Sequence, residues 1–218
     1  TGNSSITTNN GVVQNLNGGT FSTGGTPATT FAGHLSACCP AANILYVNDD
    51  ATGNNDGTSW TDAYTDLQSA LASTCPGVTE IWVAEGTYKP TSGTDRTISF
   101  LMKNGVGIYG GFDGTETLRS ERDFRANSTI LSGNIGDLNN STDNTRNVVV
   151  SNGNDQTAII DGFIVRDGYA NNISNNRGAG FRISNASSII RNCVIRDNEV
   201  RFASSSDYGA AMYMSGAS

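Results

Sequence analysis

From residue 79 onward, apolar and polar positions alternate in short runs separated by Gly, Asn and Asp. TEIWVAEGTY reads as a strand ending at a glycine turn, and TISFLM, GVGIYGGF, STILSG and NVVVSN follow in the same manner. Period-two alternation bounded by turn residues predicts strands. Upstream, ILYVND from Ile44 reads as one more strand, followed by the turn-rich loop DATGNNDGTSW. One helical pattern follows, from about Trp60 to Ser73. Ala63, Leu67, Ala70 and Leu71 recur at helical spacing, while Asp62, Asp66 and Gln68 stay polar. Ser59 or Thr61 is the expected N-cap, and Pro76 and Gly77 end the helix. No second helical pattern appears.

The strand pattern repeats. AIIDGFIVRDG from Ala158 aligns with SIIRNCVIRDN from Ser188, an offset of 30 residues. GAGFRIS from Gly178 returns as GAAMYMS from Gly209, an offset of 31. NVVVSNG from Asn147 is a looser, earlier copy. Each period holds three short strands, as in GFRIS, SIIRN and CVIRDN. Side chains alternate across a strand, so Ile190, Cys193 and Ile195 are expected inward, with Arg191, Val194 and Arg196 outward. One period earlier, Ile160, Phe163 and Val165 take the same inward places. A single such unit cannot bury its own apolar face, so stacked repeats follow. The predicted fold is all-β: a right-handed parallel β-helix with three short strands per coil and an N-terminal cap containing one α-helix. The right hand is expected because parallel crossovers strongly favour it. A leucine-rich repeat has a shorter period, and a propeller blade a longer one. Three regions are predicted: an extension over 1–43, a cap of strand, loop and helix over 44–79, and β-helix coils over 80–218.

Composition adds compartment and partners. Only 15% of residues are charged, against about 25% in a typical soluble domain, and Gly, Ser, Thr and Asn dominate. The net charge of −7 argues against nucleic acid, which needs clustered Lys and Arg, and against anionic membranes. No apolar run approaches the roughly 18–20 residues that span a bilayer, so no direct membrane insertion is expected. Residues 1–43 are low in complexity and could not offset their ordering entropy alone, although GVVQNL and GTFST could form strands. The chain begins at Thr1 without a signal-like segment, which suggests a processed product or a fragment. The four cysteines are Cys38, Cys39, Cys75 and Cys193, with His34 as the single histidine. A structural zinc site is not expected. In an exported protein Cys75 could pair with Cys38 or Cys39, and Cys193, at an inward repeat position, reads as a buried free thiol.

Beyond these local patterns, DLQSALASTCPGVTEIWVAEGTYKP resembles the N-terminal cap of pectin-lyase-like right-handed parallel β-helices. GAGFRI followed by IIRNCVIRDN resembles the repeats of polymorphic outer-membrane proteins and related bacterial surface adhesins. NDDATGNNDGTSWTDAYTDLQSALA and GVGIYGGFDGTETLRSERD are similar to the opening of large secreted proteins of that kind. The resemblance covers roughly residues 44–218. It implies an extracellular or bacterial cell-surface location, export by a type IX route, and a place within a larger protein. It does not fix an activity.

Three functions are open on these grounds. The first is a non-catalytic structural or adhesive protein, a rigid stalk or filament component that contacts glycans or cell-surface components. The second is a polysaccharide lyase or glycoside hydrolase of the pectin-lyase-like fold, which would need acidic residues for calcium or a carboxylate pair. The third is a self-assembling fibre subunit joined through residues 1–43. Arg166, Asp167, Arg196 and Asp197 form an expected outward ladder, with Asp161 and Arg191 nearby. They are candidates for ligand contact, though neutralisation on a solvated face is the simpler expectation. No catalytic residue is nominated. Asp49, Asp50, Asn54 and Asp56 lie in an oxygen-rich loop resembling half of a calcium loop, without the downstream bidentate Glu, so Ca2+ is the one cofactor considered. Trp82 and Tyr88 are expected to seal the first coil, and Trp60 to fix the cap helix.

Overall fold

The computed structural model describes residues 7–9, 12–14, 43–171, 177–201 and 209–216. The chain divides into two compact units, Thr1–Cys39 and Pro40–Ser218. In the first, β1 (Thr7–Asn9) and β2 (Val12–Gln14) form an antiparallel hairpin in which Thr8 faces Val13. The strand expected in GTFST lies outside the described residues.

The regular elements of the second unit are almost all strands. In chain order they are β3 (Ile44–Val47), β4 (Glu80–Ala84), β5 (Gly86–Tyr88), β6 (Phe100–Leu101), β7 (Gly107–Phe112), β8 (Thr129–Ser132) and β9 (Val149–Asn152). They continue with β10 (Ile159–Asp161), β11 (Ile164–Arg166), β12 (Tyr169–Ala170), β13 (Phe181–Ser184), β14 (Ile189–Arg191), β15 (Val194–Ile195), β16 (Glu199–Val200) and β17 (Met212–Ser215). A short helix, α1 (Leu67–Ala72), lies between β3 and β4. Among the described residues no helix is long and apolar enough to cross a membrane.

The strands of this unit form parallel sheets. Sheet one has the order β14-β10-β7-β4-β3, sheet two β15-β11-β8-β5, and sheet three β17-β13-β9-β6. The chain visits them in rotation. β4, β5 and β6 belong to sheets one, two and three, and β7, β8 and β9 repeat the circuit. Every pairing in these sheets is parallel. The sequence period appears directly as register: Ile159 pairs with Ile189, Ile164 with Val194, and Phe181 with Met212.

Alternation sorts each strand into two faces. One register row of sheet one runs Leu45, Ile81, Ile108, Ile160 and Ile190. The first four are at most 2% exposed, and Ile190 packs on the same cluster. In sheet two the matching row is Tyr88, Leu131, Val165 and Ile195; in sheet three it is Phe100, Val149, Phe181 and Met212. These rows form one core cluster. Each buried aliphatic side chain contributes roughly 1.5–3 kcal/mol relative to exposure. Ile160, Phe163 and Val165 are buried as expected, while Val194 is 54% exposed and Arg191 and Arg196 face solvent. Cys193 is free, as expected, but half-buried: among the described residues β14 and β15 are the outermost strands of their sheets.

The structure departs from expectation at three places. The helix begins at Leu67, not near Trp60, with Asp66 rather than Ser59 or Thr61 as N-cap, its side chain accepting from the Ser69 N–H at 2.8 Å. Residues 53–65 are held instead as a loop along the edge of β3. Tyr46 N–H donates to the Gly57 carbonyl and Asn48 N–H to that of Tyr64, while Gly53 N–H is bonded to the Thr61 carbonyl. Second, TEIWVAEGTY is two strands, because β4 and β5 belong to different sheets and the chain turns at Glu85. Third, β12 and β16 form a small additional parallel pair, Tyr169 opposite Glu199, which the pattern did not announce.

The corners repeat as well. Gly162 and its counterpart 30 residues later, Asn192, both have positive φ (87° and 52°), and so do Asp167 and Asp197 (63° and 54°). That region favours Gly and tolerates Asn and Asp. Asn198 ties such a corner across layers. Its carboxamide accepts from Gly168 N–H at 2.9 Å and donates to the Val165 carbonyl at 3.0 Å.

Candidate functional site

The most elaborate polar arrangement lies on the outer face of sheet one. The register that puts Ile81 and Ile108 inward turns Tyr46, Trp82, Tyr109, Asp161 and Arg191 outward in a single row. Trp82 stacks on Phe112 with centroids 4.8 Å apart, and Tyr46 meets Trp60 edge-on at 4.8 Å. These rings, with Ile44 and Ile159, make a second apolar cluster separate from the core. Trp82 therefore lies outside the main core it was expected to seal, whereas Tyr88 is buried within it.

Residues 113–125, between β7 and β8, fold over this face as a strap. Trp60 Nε1 donates to the Glu116 carbonyl at 2.9 Å, so Trp60 anchors the strap rather than the helix. Arg119 lies over the Tyr109 ring at 4.4 Å and pairs with Glu80 at 2.5 Å. Glu80 also accepts from Trp82 Nε1 at 2.6 Å. Arg122 reaches deeper. It donates to the carbonyls of Gly110 and Asp161 and pairs with the Asp161 carboxylate at 2.8 Å.

Asp161 is 1% exposed. Arg122, Arg191 (2.7 Å) and Asn192 (2.8 Å) all bond its carboxylate. Burial pushes its carboxyl up, but the hydrogen bonds from Arg122, Asn192 and Arg191 outweigh burial and hold it below the usual carboxylate range. Burial raises the Tyr109 phenol. Asp161 is thus an ionised structural anchor joining the strap, β10 and the β14 layer. Sequence inspection placed Asp161 and Arg191 among the outward charged residues but missed Arg122, whose pairing with Asp161 spans 39 positions.

Between the strap and the edge of sheet one lies a cleft of about 660 Å³, lined by Asn43, Ile44, Glu80, Trp82 and strap residues 117–120, 122 and 124. Leu118 stands at it 60% exposed.

The residues singled out in the sequence are more dispersed. Arg166 pairs with its neighbour Asp167 at 3.3 Å, and Asp167 also accepts from the Ser132 hydroxyl at 2.7 Å. Arg196 pairs with Asp197. The two pairs stand one layer apart, each between sequence neighbours. In the 49–56 loop, Asp56 accepts from the N–H and hydroxyl of Thr58, and Asn54 N–H donates to Asp62. Asp50 N–H donates to Asn48, and Asp49 N–H to the Tyr88 hydroxyl at 3.4 Å. Burial raises the Asp49 carboxyl, partly offset by a hydrogen bond from the Thr87 backbone. Among the described residues no three His, Cys, Asp or Glu side chains come together as a metal cluster. Cys75 is disulfide-bonded; Cys38 and Cys39 lie outside the described residues, as does His34.

No family model, no curated protein and no solved structure matches the chain.

Proposed function

We propose that the described residues of the second unit form a right-handed parallel β-helix of the pectin-lyase-like kind and serve as a non-catalytic structural or adhesive stalk on an extracellular bacterial surface. The observation that carries this is the continuous apolar row along sheet one. Five parallel strands stack Leu45, Ile81, Ile108, Ile160 and Ile190 in one row, while sheets two and three repeat the same circuit. Such a column gains core with every layer and supplies length and stiffness without a catalytic centre. The charges agree with a structural role. Asp161 is fully engaged and ionised, and Arg166–Asp167 and Arg196–Asp197 are local pairs of the sort a repeat places at every turn.

Two measurements test the proposal. An experimental density map should trace sheets one, two and three as successive faces of one right-handed coil; a left-handed or open arrangement overturns the fold. Incubation with a panel of acidic and neutral polysaccharides, with and without Ca2+, should release no unsaturated or reducing ends. Turnover that disappears in Asp161→Asn would replace the stalk with the lyase or hydrolase alternative.

A further inference from the structure

We propose that the groove between α1 and β6 binds a single unbranched acyl chain ending in a carboxylate, with the carboxylate at Lys103. This stands independently of the stalk reading, because it rests on α1, β6 and the residues flanking β6 alone.

The groove follows from two periodicities. β6 is an outermost strand of sheet three, and α1 packs against it. Alternation turns Phe100 and Met102 inward, at 1% and 5% exposure, and leaves Leu101 55% exposed on the other face. Lys103, two residues on, shares the face of Leu101 and lines the groove with it. On α1, Gln68, Leu71 and Ala72 stand at i, i+3 and i+4, on one side of the helix. Gln68 holds the two walls together: its Nε2 donates to the Pro90 carbonyl at 2.9 Å and to the Ser99 carbonyl at 3.1 Å. The groove is therefore preformed. Its volume is about 390 Å³, near the low end of the roughly 300–1,000 Å³ of small-ligand sites. Thr97 to Lys103 covers roughly 20 Å of extended backbone. A small volume along such a length suits one chain better than a two-tailed lipid.

The lining sets the chemistry of the tail. Leu71, Ala72, Ile98 and Leu101 give the groove an apolar wall. Parallel sheets usually have both faces covered, and a bound chain would cover the Leu101 side chain that the fold leaves in water. Charge sets the head. Lys103 Nζ donates to the Leu71 carbonyl and to the Thr74 hydroxyl. An ammonium has three N–H donors, so one remains open, and among the described residues no carboxylate pairs with Lys103. A carboxylate gains this cation without breaking an ion pair. At the other end of the groove Asp95 accepts from the Thr97 N–H and hydroxyl, and its charge turns an anionic head away from that end. A cationic head would meet Lys103 at one end and water at the other.

The test is isothermal titration calorimetry of the full chain with dodecanoate below its micelle concentration. Hexanoate, decanol and dodecyltrimethylammonium are the comparators for chain length and charge. Four proteins are compared: the parent, Lys103→Gln, Leu101→Asp and Ala72→Trp, the last filling the groove from an exposed helix position. Thermal melting shows whether each variant keeps its fold. Lys103 also caps the end of α1, so if Lys103→Gln melts early, Leu101→Asp and Ala72→Trp, both at exposed positions, decide the matter. The expected result is binding of dodecanoate to the parent, at least tenfold weaker binding of hexanoate, decanol and the cation, at least tenfold weaker dodecanoate binding in Lys103→Gln and Leu101→Asp, and loss in Ala72→Trp. No binding of dodecanoate to the parent overturns the proposal. So does equal binding of the cationic chain, or dodecanoate binding that survives Ala72→Trp. Vesicles of phosphatidylcholine alone should carry no protein down on sedimentation; protein that travels with them would make this face a membrane contact and overturn the single-chain site.

Discussion

Replacing Asp161 by Asn keeps the volume of the side chain but removes the charge that Arg122 and Arg191 share. Breaking a buried pair from one side costs about 3–5 kcal/mol. Arg191 is half exposed and recovers some hydration, so a loss of about 2–4 kcal/mol is expected for Asp161→Asn by urea denaturation. The exposed loops use a smaller device repeatedly. In Asp56-x-Thr58, Asp95-x-Thr97, Asp113-x-Thr115 and Asp155-x-Thr157 the acid accepts from both the threonine N–H and its hydroxyl. Asn140 does the same with Thr142. Hydrogen bonds from the threonine side chain and backbone hold the carboxyls of Asp95, Asp113 and Asp155 below their usual range. A depressed folded-state value means that the stabilisation is complete above the unfolded carboxylate range, about pH 4, and fades as pH falls through the folded values. Protection of the Thr97, Thr115 and Thr157 amides, measured as exchange relative to the unstructured rate at each pH, should accordingly fall below about pH 4 and be constant above it; loss of protection near neutral pH would contradict this. Burial raises the Cys193 thiol, so it should react with iodoacetamide more slowly than a free cysteine at pH 7.

At the scale of elements, the period itself can be tested. Deleting residues 159–188 joins Ala158 to Ile189 and brings β14 to the place of β10 against β7, because Ile189 and Ile159 share a register row. The splice also sets Arg191 where Asp161 stood, opposite Arg122. The deletion alone should therefore be poorly folded, and the deletion combined with Arg191→Asp should recover cooperative melting. Equal melting of the two would show that the anchor does not set register. The deletion is conceivable from sequence because the strand rows were legible there: Ile160, Phe163 and Val165 alternate against polar neighbours, and a one-residue slip would expose all of them. The turn at Glu85 was not legible. Nothing in AEGTY distinguishes a straight strand from two strands in different sheets until the partners Phe112 and Thr129 are known. The helix was overextended for a similar reason, since Ala63 has helical spacing to Leu67 but is committed to the loop that closes the edge of β3.

Across the whole second unit, the repeat marked which residues form the core, but the candidate site was nearly invisible. The cleft is lined from β3, β4 and the strap, whose sequences lie outside the 30-residue repeat. Arg119 and Arg122 look in sequence like ordinary surface charges. Their function as clamps depends on Glu80 and Asp161, which only the stacking of layers brings near. Replacing Ile160 by Ala, in the middle of the column, should cost about 2–5 kcal/mol. Ile164→Ala, on the outer face of the adjoining strand, should cost much less; chemical denaturation of both checks the assignment of faces.

The Arg122–Asp161–Arg191 connection has a mechanical consequence. Bonds between neighbouring strands point along the direction in which layers are stacked, so a load applied to β3 and β14 opens the ladders one after another instead of shearing them together. Arg122 extends from the strap after β7, Asp161 sits on β10 and Arg191 on β14, so one charged group rivets three successive layers. A tear travelling from the outermost strand should stall there, and the first large force step in a pulling trace should disappear when Asp161 is replaced by Asn.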